Sequence, residues 1–304
     1  MGKIPTSFFE YTELFPSLKE ATSWKLLRQW SLSEVWRIEM KDEGSLIIKQ
    51  GKGENSREVS IYTQLLIPLE LDLPKVYKAY ENRGIGILIM EDLKGKTLEE
   101  DPQVFDFIAA AKILSTIRNK SRVGILDGEL TNAHYSTFYV SEDSVMNDLL
   151  YISRQSESIE AEQDLIFKKA LDVLPCHLSR LYKEFPVTLT HNDYHPKNLI
   201  KNDDGIAVID WASAYVSPHL GDLYCLIHSA KDYKIDPDDL IGAYFEETDG
   251  YGAHDIEWQV TMGGICWTIH MLRQLLDYGV EAIPIAHEWI PEMISDIRIL
   301  LDKL

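Results

Sequence analysis

Residues 188–215 read TLTHNDYHPKNLIKNDDGIAVIDWASAY, and this stretch decides the predicted fold. A short apolar strand leads into a polar loop, and two further apolar runs flank the Asn-Asp-Asp-Gly sequence at 202–205. Turn residues of this kind between apolar runs predict a β-hairpin. Because a hairpin brings its two ends together, we expect Asp193, Asn198 and Asp210 to meet at one mouth.

The three side chains predicted to meet there form a set of hard oxygen donors. Mg²⁺ prefers one or two carboxylates together with phosphate oxygens, so Asn198 and Asp210 are candidate magnesium ligands. Asp193 is then available to orient a hydroxyl nucleophile and accept its proton. The spacing from Asp193 to Asn198 matches the kinase loop H-R-D-x-x-x-x-N, and Asp210 stands where kinases carry the aspartate of D-F-G. The pattern indicates phosphoryl transfer.

The sequence H-N-D-Y-H-P-K-N-L-I, followed by V-I-D-W, resembles the motifs of the aminoglycoside phosphotransferase and choline kinase family. Members of this family are small-molecule kinases with a protein-kinase-like fold. The resemblance implies an α+β bilobal fold, with a small antiparallel-sheet N-lobe over residues 1–91 and a mostly helical C-lobe over residues 92–304. It also implies that ATP, the phosphate donor, lies between the lobes and that Mg²⁺ accompanies it.

The N-lobe residues that the resemblance selects would hold the nucleotide. The strand S-L-I-I-K ends in Lys49, which is expected to grip the α- and β-phosphates while Glu58 of the following helical segment holds it in place. The hairpin turn at 30–34 is expected to cover the phosphates through Ser31 and Ser33. This turn contains no glycine, whereas family members approach phosphate with a glycine-rich loop that lacks side chains.

Further expectations concern the hinge and the catalytic loop. Met90 and Glu91 are similar to the hinge whose backbone holds the adenine edge. His195 is expected to assist Asp193 as a second catalytic residue that contacts the phosphate or the loop. His191 is expected to brace the loop, and Asp222 to steady it from the segment after I-D-W.

Composition limits the classes of function. The chain of 304 residues carries a net charge of −19, which argues against a general binder of nucleic-acid backbone. An acidic cleft would concentrate a cationic substrate, but a solvated acidic surface gives the same count. Three scattered cysteines and the lack of a long apolar run favour a reduced, cytoplasmic protein that does not span a membrane.

Two interpretations of function stay open. The first is an ATP- and Mg²⁺-dependent kinase that phosphorylates a small hydroxyl compound, either amine-bearing or sugar-like. The second is a kinase-like binding protein without catalysis, and the glycine-free turn favours it. A protein kinase is less favoured, because I-D-W runs quickly into helical sequence without an A-P-E-type segment.

The pattern outside the motif predicts mainly helices. Apolar spacing predicts a helical segment near 55–66 and a core helix over 105–117. Residues 121–139 are more polar and are expected to form a loop. The aromatic residues of the first 22 positions are expected to pack against the N-lobe.

Overall fold

The computed structural model describes residues 3–41, 44–130, 132–155, 161–246, 248, 255–279 and 285–304. An antiparallel sheet of five strands lies in the N-terminal part, in the order β1-β2-β3-β5-β4. The strands are β1 Ala21–Gln29, β2 Ser33–Met40, β3 Gly44–Lys52, β4 Val76–Asn82 and β5 Ile85–Glu91. Side chains alternate between its two faces, so one face is free to look toward the rest of the chain.

The N-terminal arm covers the other face of this sheet, as the aromatic sequence predicted. It consists of helix α1 (Thr6–Phe9) and two short 3₁₀ turns, Glu10–Thr12 and Pro16–Glu20. Buried aromatic and aliphatic side chains of the arm pack with isoleucines of the sheet. These contacts join Phe8, Tyr11, Phe15 and Leu18 with Ile38, Ile48, Ile87 and Ile89. The arm therefore supports the sheet that carries Lys49.

Two glycines let the segment after β3 lie directly against the sheet. A Cβ on Gly51 would fall 2.2 Å from the Asn55 carbonyl oxygen, and one on Gly86 would fall 2.5 Å from that of Ser56. The predicted helix near 55–66 is present in three successive forms. A 3₁₀ turn (Gly53–Arg57) precedes helix α2 (Glu58–Ile61), and a wider π turn (Tyr62–Leu66) ends the segment. The close approach places Glu58 beneath the sheet.

The remainder of the described chain is mainly helical. Its longer helices are α3 Val104–Leu126, α4 Asn132–Phe138, α5 Glu142–Arg154, α6 Ala161–Glu184, α7 Gly221–Ala230, α8 Pro237–Glu246, α9 Ile256–Gln274 and α10 Ala286–Leu301. Five short strands complete it: β6 Lys96–Thr97, β7 Thr188–Thr190, β8 Leu199–Asn202, β9 Gly205–Val208 and β10 Tyr215–Ser217. β7 pairs with β10, and β8 pairs with β6 and β9.

The prediction of a loop over residues 121–139 is wrong at both ends of that range. Helix α3 continues through Leu126, and helix α4 occupies Asn132–Phe138. Ser121 explains part of the error, because this polar residue is fully buried. Its hydroxyl donates to the Arg118 carbonyl at 2.8 Å and accepts from the Leu189 amide at 2.9 Å. These two hydrogen bonds satisfy the buried Ser121 hydroxyl within the helix, and amino-acid composition cannot predict them.

The fold class predicted from the sequence is confirmed: a five-stranded antiparallel sheet precedes a mostly helical remainder. The division into lobes at residues 1–91 and 92–304 stays a prediction, as does the cytoplasmic location. Within the described ranges, no helix has both the length and the apolar character needed to cross a membrane.

Candidate active site

The hairpin β8–β9 holds the polar loop His191–Asn198 by hydrogen bonds at its base. The Ile209 amide donates to the Asn198 carbonyl at 3.0 Å, so Asp210 follows directly beside the loop. His191 completes the brace, because its Nδ1 accepts from the Asp193 amide at 3.1 Å and its Nε2 lies 3.0 Å from the Ile209 carbonyl oxygen. Because Nδ1 accepts a hydrogen bond, the ring proton lies on Nε2, which donates to the Ile209 carbonyl.

Asp222, at the start of helix α7, anchors the loop from below. It is buried, and its two oxygens accept from the amides of His191 and Asn192, both at 2.7 Å. Burial raises the pKa of Asp222, whereas these two amides act in the opposite direction. The contact agrees with the steadying role predicted for this aspartate.

We expect Asp222→Asn to destabilise the fold by about 1–3 kcal/mol for each backbone N–H left unpaired. The replacement keeps the shape of the side chain but turns an –NH₂ group toward one of the two buried amides. Urea unfolding followed by circular dichroism measures the loss of unfolding free energy. Asp203→Asn, at an exposed position of the hairpin turn, is the matched control, and equal stability of the two variants would contradict the anchoring role.

Asp193 lies at the tip of the loop with one oxygen engaged and the other turned toward His195. The Asn198 Nδ2 donates to Asp193 Oδ2 at 2.8 Å, and Lys197 Nζ lies 3.2 Å from the same oxygen. Asp193 Oδ1 lies 3.6 Å from His195 Nε2, which is too long for a hydrogen bond. The Asp193 side chain is 22% exposed, so part of it is open to a bound group.

Lys49 joins the sheet to this loop through two carboxylates. Its ammonium lies 2.5 Å from Glu58 Oε2 and 2.7 Å from Asp210 Oδ1, and the Trp211 amide donates to Glu58 Oε1 at 3.1 Å. Burial alone would lower the pKa of Lys49, but Asp210 and Glu58 outweigh burial and raise it. Burial likewise opposes ionisation of Asp210, yet Lys49 and Arg28 hold the pKa of Asp210 well below its usual range. Lys49 and Asp210 are therefore charged at neutral pH, whereas burial raises the pKa of Glu58.

The side-chain oxygen of Asn198 is a candidate ligand for a metal ion. Its side chain is fully buried, and among the described residues none hydrogen-bonds its Oδ1. A buried amide oxygen without a partner costs free energy unless something else binds it. In the same ranges, no group of three or more His, Cys, Asp or Glu side chains is arranged to hold a metal. The predicted ligands, one carboxamide and the carboxylate Asp210, are hard oxygen donors and fit Mg²⁺.

His195 faces Asp193 from a fixed orientation. Its Nδ1 lies 2.9 Å from Ser229 Oγ, and that hydroxyl donates to the Cys225 carbonyl at 2.9 Å. Because the Ser229 proton is already committed, the hydroxyl accepts from His195, which places the ring proton on Nδ1. Burial lowers the pKa of His195 to about 4, although Asp193 acts in the opposite direction. Nε2 is consequently a lone-pair acceptor beside Asp193.

The remaining predicted residues belong to the N-terminal sheet, with Ser31 and Ser33 at one end of its strands and Met90 and Glu91 toward the other. Ser31 is exposed and Ser33 half-buried in a tight turn that is closed by the Trp30 amide donating to the Ser33 carbonyl at 2.7 Å. Met90 is buried at the end of β5. The Glu91 amide donates to the Lys75 carbonyl at 2.9 Å, which removes it from the donors that the hinge prediction offered for adenine.

Sequence reasoning missed several residues that contact this site. Arg28 Nη1 lies 3.1 Å from Asp210 Oδ2, and the Trp267 indole donates to the Asn192 carbonyl at 3.0 Å. Ser229 fixes His195, as described above. No sequence spacing signals these three, since each meets the loop from a distant part of the chain. Lys197 stands four residues after Asp193, and this closeness in sequence is the one signal of their contact.

One sequence family and several solved structures are similar to this chain. The sequence model described as "Phosphotransferase enzyme family" matches residues 26–256. No curated protein matches the chain by sequence. Among solved structures, the gentamicin complex of APH(2'')-IIa has a TM-score of 0.70 at 16% identity, covering 98% of this chain and 97% of that one.

Two further structures show the same likeness. A thermostable mutant of aminoglycoside phosphotransferase APH(4)-Ia, in ternary complex with AMP-PNP and hygromycin B, has a TM-score of 0.64 at 14% identity and covers 98% of both chains. Choline kinase from Cryptosporidium parvum Iowa II has a TM-score of 0.64 at 13% identity, covering 96% of this chain and 97% of that chain. At such low identities the likeness concerns the fold, and it confirms the kinase-like fold that the sequence predicted.

Proposed function

Because the chain belongs to the Phosphotransferase enzyme family, we propose that it transfers the γ-phosphoryl group of ATP, with Mg²⁺, to a hydroxyl group of a small molecule. The observation that carries this proposal is the convergence of three groups: the Asp193 carboxylate, the Lys49–Asp210 pair, and the Asn198 carboxamide oxygen, which has no hydrogen-bond partner among the described residues. Each of the three corresponds to one requirement of phosphoryl transfer.

The residues divide into a donor side and an acceptor side. On the donor side, Lys49 meets the phosphates, with Glu58 keeping its ammonium in place. Asn198 and Asp210 would hold Mg²⁺, which when bound neutralises charge on the phosphate oxygens. Ser31, Ser33, Met90 and the hinge at Glu91 are proposed to border the nucleotide.

Asp193 is proposed to orient the acceptor hydroxyl. The acceptor oxygen forms a bond to the γ-phosphorus while the bond from that phosphorus to the β,γ-bridging oxygen breaks. ADP leaves with the bridging oxygen, and the hydroxyl proton passes to Asp193 Oδ1 and then to solvent. An aspartate suffices as the proton acceptor, since positioning and charge neutralisation supply most of the rate.

His195 is proposed to share the hydroxyl with Asp193 rather than to contact phosphate. Its Nε2 carries no proton in the tautomer that Ser229 selects, so it cannot donate to a phosphate oxygen. Nε2 and Asp193 Oδ1, 3.6 Å apart, are instead two acceptors facing one gap. A hydroxyl or an ammonium placed in that gap can donate to either atom. Lys197, beside Asp193, is the nearby cation better suited to the phosphoryl group.

We expect His195 to remain neutral throughout the physiological range. Because its pKa is lowered to about 4, the ring stays unprotonated as the pH falls through 6.5 and gains a proton only in strong acid. Titration of the ¹³C-labelled histidines followed by NMR measures this, with His195→Gln assigning the signal. A midpoint near the ordinary value would contradict the burial of the ring in this orientation.

Ser229→Ala is expected to lower kcat by about 10-fold, the order of one lost neutral hydrogen bond. Without the Ser229 hydroxyl, the ring proton can move to Nε2 and donate to Asp193 Oδ1, which blocks the oxygen that the acceptor needs. ¹⁵N chemical shifts of His195 report the tautomer directly, and Ser229→Thr, which keeps a hydroxyl, should restore both the shift and kcat. An unchanged tautomer in the alanine variant would overturn the positioning role.

The acceptor is proposed to be an amine-bearing hydroxyl compound. The net charge of −19 favours association with cations. Structural neighbours include a complex with gentamicin, a complex with hygromycin B and a choline kinase. Asp193 Oδ1 and His195 Nε2 are both hydrogen-bond acceptors, which suits a substrate that donates hydrogen bonds.

An acceptor screen tests the proposal. Purified protein is incubated with Mg²⁺ and ATP against aminoglycosides, choline-like amino alcohols, neutral sugars and simple polyols, and products are detected by mass spectrometry as phosphate monoesters. We expect a monoester from the amine-bearing set that does not form with Asp193→Asn. Products only from neutral sugars would overturn the acceptor class while leaving phosphoryl transfer in place.

A second candidate is a kinase-like binding protein without catalysis. The turn Trp30–Ser33 favours it, since it has no glycine to admit phosphate close to the backbone. The two candidates differ in whether Mg²⁺ and nucleotide bind together, and in whether ADP accumulates when an acceptor is present.

A further inference from the structure

Arg28 reaches the metal-binding end of the candidate site from the edge strand of the sheet. Its Nη1 lies 3.1 Å from Asp210 Oδ2, while Lys49 Nζ lies 2.7 Å from Asp210 Oδ1. Each oxygen of Asp210 is therefore paired with a different cation. Of the two cations, Lys49 is held by Glu58 in addition and is nearly buried, whereas the Arg28 side chain is 39% exposed.

A β-bulge places Arg28 on this face. The pairing of β1 with β2 shifts between Leu26 and Arg28, so Leu27 is an extra residue in β1. Arg28 then stands opposite Val35, and Val35 stands opposite Lys49 on the next strand. Directly opposed residues point to the same face of a sheet, and bulges redirect side chains in this way. Without the extra residue, Leu27 would take that place and Arg28 would point to the arm side.

The turn that follows Arg28 is the glycine-free one. The Arg28 guanidinium lies 5.3 Å from the centre of the Trp30 ring, and Trp30 is 49% exposed. The aromatic face gives the guanidinium a second contact besides Asp210 and keeps it at the mouth of the site. A bulky turn of this kind cannot bring backbone amides as close to phosphate as glycines can. A long side chain such as that of Arg28 can reach the phosphates instead.

We propose that Arg28 is a phosphate-binding residue of the donor site: it neutralises Asp210 when no nucleotide is bound and contacts the nucleotide phosphates when Mg²⁺–ATP is bound. This assignment rests on the proposed function. Asp210 would keep cationic partners in both states, because Lys49 lies beside it and a Mg²⁺ ion held there would supply the charge that the guanidinium withdraws. The guanidinium in turn exchanges a carboxylate for phosphate oxygens, which suit its planar fork and allow two parallel hydrogen bonds.

A purely structural ion pair between strand β1 and the hairpin would be the opposing interpretation. It predicts that losing Arg28 lowers the melting temperature and leaves nucleotide affinity alone. The phosphate-binding role predicts a loss of affinity that depends on the phosphates. Comparing a triphosphate with a nucleoside therefore separates the two.

Isothermal titration calorimetry of Mg²⁺–ATP and of adenosine, on the full chain, makes this comparison. We expect Arg28→Gln to raise the Kd of Mg²⁺–ATP by about 10-fold, which is about 1.4 kcal/mol, and to leave the Kd of adenosine unchanged. Arg28→Lys, which retains a charge but not the fork, should fall between wild type and Arg28→Gln. Lys78→Ala, at an exposed position of edge strand β4, removes one positive charge elsewhere on the same sheet and should have little effect.

The outcomes distinguish this proposal from the one on which it rests. If Arg28→Gln weakens the binding of Mg²⁺–ATP and of adenosine equally, or weakens neither, the proposed role of Arg28 is overturned. Phosphoryl transfer by the wild type is not affected by that result. An equal loss of Mg²⁺–ATP affinity in Lys78→Ala would also overturn it, since the effect would then be one of net charge. Absence of Mg²⁺–ATP binding in the wild type would reject the proposed function itself. Circular dichroism spectra of each variant verify that it is folded.

Discussion

Asp193→Asn is expected to lower kcat by about 10²–10⁴-fold, the range for a lost general base. The amide can still accept from Asn198 Nδ2 through its oxygen, as Asp193 Oδ2 does at 2.8 Å. Its –NH₂ group then occupies the position of Oδ1 and faces His195. A group that only donates cannot receive the hydroxyl proton of the acceptor.

The same variant should bind Mg²⁺–ATP almost as well as wild type, because Lys49, Asn198 and Asp210 are unchanged. Single-turnover kinetics and calorimetry on one preparation measure the two effects separately. Asp203→Asn, in the hairpin turn of the same motif, is the control with an equal change of charge. A kcat within a few-fold of wild type in Asp193→Asn would remove Asp193 from the reaction.

Asp210→Asn is expected to abolish the advantage that Mg²⁺ gives to nucleotide binding and to reduce kcat by at least about 100-fold. Metal ions contribute several kcal/mol of charge stabilisation in phosphoryl transfer, and each 1.36 kcal/mol is a factor of ten in rate. The neutral amide also loses its ion pairs with Lys49 and Arg28. Lys49 keeps Glu58 as a partner, so part of the phosphate grip should survive.

Calorimetric titration of ATP into Asp210→Asn, with and without Mg²⁺, measures this effect. The expected result is one Kd that no longer depends on the metal, whereas the wild type should bind more tightly when Mg²⁺ is present. Full magnesium dependence in the variant would assign the metal to other ligands. Asn198→Ala provides the partner comparison, because it removes the carboxamide oxygen and leaves the Lys49 ion pairs intact.

The part of the site that could be predicted lies in short, contiguous sequence. Strand, loop and hairpin follow one another within one motif, so their hydrogen bonds bring Asn198 and Ile209 together without help from distant residues. The Lys49–Glu58 pair, 2.5 Å apart, was expected from the family resemblance, because a strand-end lysine and a first-turn glutamate are common in any sequence. Local pattern alone therefore accounts for the hairpin, and the resemblance accounts for the ion pair.

The part that could not be predicted depends on contacts between remote segments. Arg28 meets Asp210 across 182 positions, and only the bulge at Leu27 turns it to that face. His195 was predicted to assist catalysis, but its tautomer depends on Ser229 of helix α7. Neither a bulge nor a tautomer leaves a periodic signal in the sequence. Both follow from the packing of the sheet and helix α7 around the loop.

The most direct test of the central claim is the melting temperature of the full chain with ATP, measured with and without Mg²⁺. A ligand that binds only the folded state adds about 2.7 kcal/mol of stability at a hundredfold excess over its Kd. A protein of this size should then melt several degrees higher. We predict a clear rise with Mg²⁺ and ATP together, a smaller rise with ATP alone, and no metal-dependent rise in Asp210→Asn. No shift of the wild type at millimolar Mg²⁺–ATP would contradict the account.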